Sequence, residues 1–313
     1  MDLCAKIAIT RDVCTSEIRK PPLRATAAKL ESAGLGGAHC IDLLRSVLLA
    51  PDRKAMLRAI LRRIGADQEP AVEEQACLQR VLLVHAALVS LNRLDSTPVT
   101  SSIRSLVCDE FQFFARPSTK ELPMFRPENY PFEVFCKIAL LERFPAGLFH
   151  WEISGIPRSW LFKLPLSALP KTLTFVAAQL KGLQPCFVPH IATRRKNRLL
   201  MSEKASDKSW HRMARCIEMQ PGVKGLIVSS WLHSPDTFKV SPHLAFMNKP
   251  FVESGAMITT MGKATEDAGY LTGSEARRKR YETGEFTPTL GLVLWSRDQM
   301  IRWARAHPEL NDE

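Results

Sequence analysis

The chain has 313 residues, 45% of them hydrophobic and 24% charged. That excludes a disordered or fibrous polymer and leaves enough length to bury a core without cross-links. A net charge of +11 favours anionic partners, whether nucleic acid, acidic lipid or phosphorylated small molecules.

None of the eight cysteines forms a C-x-x-C pair, which removes support for zinc-ribbon and thioredoxin-type sites. Their scatter through apolar segments fits buried thiols in a reducing, cytoplasmic setting. The opening "MDLCAKIAITRD" lacks a cationic stretch followed by an apolar run, so no signal peptide is expected.

The first 115 residues read as helical. "PDRKAMLRAILRRIGA" starts on Pro51, spaces Met56, Ile60 and Ile64 by four, and meets Gly65. Residues 73–94 form a second helix. Its apolar run "VLLVHAALVSL" is too short to cross a bilayer and reads as a buried element. A third helix is expected within 98–115, and a helical bundle accommodates all three. Prolines at 117, 123, 127 and 131 then mark residues 116–131 as a linker or extended wrap, and the domain boundary is placed there.

From 132 onward the texture alternates. A helix at about 132–143 is followed by strand-like runs "LFHWEIS", "CFVPHIA", "GLIVSSWL", "GAMITTM" and "TLGLVLW". Helix-like runs lie at 166–182, 199–219, 264–283 and 297–306. Strands interleaved with helices predict an α/β layer, giving an α+β molecule: helical domain 1–115, then α/β domain 132–313.

The stretch "SEARRKRYETGEF" followed by a strand resembles the late helix–turn–strand of GNAT-superfamily N-acyltransferases, on Tyr281, Glu282, Gly284 and Phe286. An extra residue, Glu285, separates the glycine from the phenylalanine. The resemblance implies acyl transfer from an acyl-CoA or acyl-carrier-protein thioester to an amine of a small molecule. It also implies Tyr281 as the acid that protonates the departing thiolate. Glu152 or His233, in or beside strands, is the candidate base. Arg194, Arg195, Lys196, Arg277 and Arg278 are candidate phosphate partners. The family's glycine-spaced phosphate loop has no counterpart after "GLIVSSWLHSP"; Ser241 and Pro242 offer a helix start instead. The competing interpretation makes Tyr281 and Phe286 core aromatics and the arginines a solvated face.

Two other function classes stay open. "HWE" sets His150 and Glu152 on one strand face, the beginning of a two-histidine, one-carboxylate iron site with His190, His233 or His243 as third ligand. The spacing supports no such set, so no metal is expected. "ATRRKNRLLMSEKASDKSWHR" places four cations ahead of Trp210, a pattern that binds nucleic acid as readily as a cofactor phosphate. Ser229 and Ser230 lack the G-x-S-x-G elbow of a hydrolase. "WSRDQMIRWARAHPEL" reads as a terminal helix packing its tryptophans into the core.

Overall fold

The computed structural model describes residues 2–65, 72–192, 201–263 and 274–312. It divides into two compact units, Met1–Pro145 and Ala146–Glu313.

The first unit is helical: α1 (Leu3–Ile18), α2 (Leu23–Ser32), α3 (His39–Leu49), α4 (Arg53–Arg63), α5 (Val72–Leu94), α6 (Ser101–Ala115) and α7 (Tyr130–Ala139). Asp52 caps α4 by accepting from the Ala55 amide. Helix α5 is the axis. Leu78, Val81 to Val84, Ala86, Ala87, Leu91 and Leu94 are all buried, so its apolar surface runs right round. A helix of that kind needs neighbours on every side. It has them, for α1, α2, α3, α4, α6 and α7 all pack on it. Each buried Leu or Val contributes roughly 1.5–3 kcal/mol before chain entropy is counted. Among the described residues no helix is long and apolar enough to cross a membrane.

The proline-rich stretch packs onto these helices. A short 3-10 turn, Leu122–Phe125, puts Phe125 5.5 Å from Phe113 and 5.1 Å from Phe135, centroid to centroid. The chain divides later, after the three-residue strand β1 (Arg143–Pro145).

The second unit contains β2 (Phe149–Ser154), α8 (Arg158–Leu161), α9 (Leu169–Ala178), β3 (Cys186–Ile191), α10 (Glu203–Glu218), β4 (Gly225–Ser230), α11 (Pro235–Val240), α12 (Lys249–Glu253), β5 (Met257–Lys263), α13 (Glu275–Glu282), β6 (Thr289–Ser296) and α14 (Arg297–Ala306). Its strands lie in the order β2-β3-β4-β6-β5, and the sheet is mixed. Strands β2 and β3 are antiparallel over six pairs, from Phe149↔Ile191 to Ser154↔Cys186. Strands β4 and β6 are likewise antiparallel over six, from Gly225↔Ser296 to Ser230↔Gly291, and β5 is antiparallel to β6.

The alternation of each strand separates two packed faces. On one, Cys186, Ile227, Leu292, Leu294, Met257 and Met261 meet Val176 and Leu180 from α9 and its exit. On the other, Phe149 stacks on Trp210 at 4.2 Å, Trp210 meets Phe251 at 5.0 Å, and Phe251 meets Trp295 at 5.1 Å. Helix α14 closes this face. A reciprocal cap between Ser296 and Gln299 starts it, and Trp303 lies 5.5 Å from Trp295. The terminal tryptophans are core, as the sequence implied.

Candidate functional site

Strands β3 and β4 are parallel neighbours, yet they share a single registered pair, Phe187↔Leu226. Just before it, the Lys224 amide donates to the Pro185 carbonyl at 2.9 Å. The common ladder is therefore confined to the amino ends of both strands. From Val188 and from Ile227 each continues for four residues fully paired on its outer side but without a further shared pair. The sheet is in effect two ribbons joined at one point and parting toward their carboxyl ends. In open α/β sheets that end of adjacent parallel strands is where ligands are received.

Polar residues gather where β4 ends. Ser230 turns the chain by accepting from the Leu232 amide, and a 3-10 turn, Trp231–His233, follows. This turn rests directly on β6 at Gly291. A Cβ there would stand 2.3 Å from the His233 backbone carbon and oxygen, so only glycine admits the approach. The His233 ring is buried. Its Nδ1 donates to Asn248 Oδ1 at 2.8 Å, and Asn248 Nδ2 donates back to the His233 carbonyl at 3.2 Å. Burial pushes its pKa down to about 4, which leaves the ring neutral at pH 7 and weakly basic. Beside it, Thr289 Oγ1 donates to Asp236 Oδ2 at 2.9 Å, and Ser234 Oγ lies 2.5 Å from the same Thr289 hydroxyl. A hydrogen bond from Lys239, foremost, holds the Asp236 carboxyl below its ordinary value.

Helix α13 delivers one cation to this cluster. Ser274 caps its start by accepting from the Arg277 amide. The Arg277 guanidinium lies 4.9 Å over the Trp231 ring and donates to Ser241 Oγ at 3.2 Å. It is buried, and burial pulls its pKa down. Arg278, Lys279 and Arg280 face outward. Tyr281 lies four residues beyond Arg277, hence on the same helix face, and is half-buried. After it, Gly284 takes a left-handed turn at φ 75° and Phe286 enters the core. The order of helix, glycine turn and strand is the one anticipated, while the buried Phe286 and the outward Arg278 agree with the competing interpretation of a core aromatic and a solvated cationic face.

Glu152 sits on the other ribbon. Its Oε1 lies 3.3 Å from His190 Nε2 across the β2–β3 pair, and His190 stands directly opposite His150. His150 is wholly buried, while Glu152 keeps partial access to solvent. Among the described residues no group of three histidines, cysteines or carboxylates is arranged to hold a metal ion.

The structure thus joins Arg277 with Ser241 and sends Arg278 to the surface. Ser241, anticipated as an anion-binding helix start, is buried and already accepts from Arg277, and the helix after it is a short 3-10 segment, Pro242–Asn248. Arg194, Arg195 and Lys196 lie outside the described residues. Trp210 is fully buried against Phe149, which removes it as a surface platform for bases. Asn248, Thr289 and Asp236 were not singled out from sequence. Each lies far along the chain from its partner or is an ordinary loop residue type.

The chain matches no family model, no curated protein and no solved structure.

Proposed function

We propose that the second unit is a GNAT-like acyltransferase, moving an acyl group from an acyl-CoA or carrier-protein thioester to an amine of a small molecule. The observation that carries this reading is the parting of β3 from β4 after one shared pair. Strand edges released from a ladder offer backbone donors and acceptors to an extended ligand, as in strand addition. The amide-bearing arm of such a thioester is a ligand of that shape and chemistry.

The remaining parts take their roles around that opening. The amine nitrogen attacks the thioester carbonyl, the carbon–sulfur bond breaks, and the thiolate leaves. Tyr281 gives its phenolic proton to the sulfur and recovers one from solvent. Glu152, oriented by His190, takes the proton released by the amine. His233 is too weakly basic for that task; together with Asn248 it fixes the turn after β4. Arg277 anchors the helix that bears Tyr281, while Arg194, Arg195 and Lys196 enter as partners for the donor's phosphates on their charge alone.

The test is ligand-dependent melting followed by turnover. Acetyl-CoA, longer acyl-CoAs or an acyl carrier protein should raise Tm by mass action. Thiol release should then require an added amine. Tyr281→Phe should keep the shift and lower the rate about 10²- to 10⁴-fold. A protein that ignores every thioester but is stabilised by ferrous iron or by short DNA has another function.

A further inference from the structure

The helical unit contains a cavity of about 490 Å³, bounded by α5, the start of α4 and the proline-rich stretch. That size falls within the range of small-molecule sites. Among its lining residues is Gln79, only 1% exposed, whose Nε2 has no hydrogen-bond partner among the described residues. A primary amide carries two N–H donors, and burying them without an acceptor is unfavourable unless something else fills the space. Pro123 and Pro127 give the cavity stiff apolar walls. Around it stand two cations, Lys54 and Arg126, and two carboxylates, Glu73 and Glu128. None of these four forms an ion pair among the described residues. They are charges of both signs held apart around one hollow.

We propose that this cavity binds a small zwitterion of the α-amino-acid class, its carboxylate accepting from Gln79 Nε2 and facing Lys54 and Arg126, its ammonium group facing Glu73 and Glu128. An anion alone leaves the two glutamates opposed to it, and a cation alone leaves the buried amide without an acceptor. A ligand with both charges matches every group. The walls then select the side chain by size and apolarity.

The 313-residue chain is to be titrated by calorimetry and thermal shift with the free L-amino acids. Any that binds is repeated as its deaminated acid and as its decarboxylated amine. At least one amino acid should give a saturable rise in Tm, with each single-charge analogue about tenfold weaker or worse. Gln79→Met keeps the volume and removes the donors; Arg126→Ala alters an exposed side chain and leaves the fold alone. Each should weaken binding about tenfold or more. The proposal is overturned if no amino acid shifts the melt, if one analogue binds as well as the parent, or if both variants bind like the unaltered chain. These readouts are independent of acyl transfer, so failure of either idea leaves the other intact.

Discussion

At the level of single residues, burial decides what each candidate does. His233 and Glu152 are both proton carriers by type, but only Glu152 retains access to water. The consequence for His233 can be measured. Its ring is pulled from an ordinary value near 6.5 down to about 4 by desolvation, against the favourable bond to Asn248. Between those values the unfolded chain binds a proton that the folded chain refuses, so stability falls as pH falls. The contribution is whole above about pH 6.5 and is lost toward pH 4, on the order of 3 kcal/mol at most. His85 and His211, also depressed by burial, act with the same sign. Imidazole NMR should find the His233 ring neutral at pH 5, with the urea midpoint dropping over the same interval. A ring titrating near 6.5 contradicts its packing.

At the level of elements, the sequence predicted periodicity well and partnership poorly. Residues 73–94 and 297–306 stand out as helices because their apolar pattern is local, and α5 and α14 occupy those spans. Five strand-like runs became β2 to β6 for the same reason. Helix α13 shows where such reasoning stops. "EARRKRYE" has one polar-looking surface on paper, and nothing in it distinguishes Arg277 from Arg278. The distinction comes from Trp231 and Ser241, some forty residues away, which meet one guanidinium and not the other. Likewise, the single shared pair of β3 and β4 has no signature in either strand, since both read as ordinary apolar runs. Arg277→Ala should therefore cost about 1–3 kcal/mol in urea unfolding, from the lost stacking and hydrogen bond. Arg278→Ala should change stability by less than about 0.5 kcal/mol. Equal effects of the two substitutions would mean that α13 is not anchored as described.

At the scale of the whole molecule, the eight cysteines are free thiols, and their reactivity reports on packing throughout. Cys4 is exposed, Cys77 is half-buried, and Cys14, Cys40, Cys108, Cys136, Cys186 and Cys216 are buried. Burial pushes the thiols of Cys14, Cys40 and Cys186 up to about 12, so the reactive thiolate is scarce at pH 7. A colorimetric disulfide reagent should titrate Cys4 quickly, Cys77 more slowly, and all eight only in denaturant. Several fast thiols in the native protein would show that one of the units is loosely packed. The axial position of α5 bears on biosynthesis. Its last neighbour, α7, ends at Ala139, so a nascent chain cannot sheathe α5, which ends at Leu94, until the 45 residues that follow it (139 − 94) have emerged. At ribosomal speeds of about 5–20 residues per second, that leaves an oily rod uncovered for several seconds after its own synthesis. During that interval it is a natural substrate for chaperones that capture extended apolar segments.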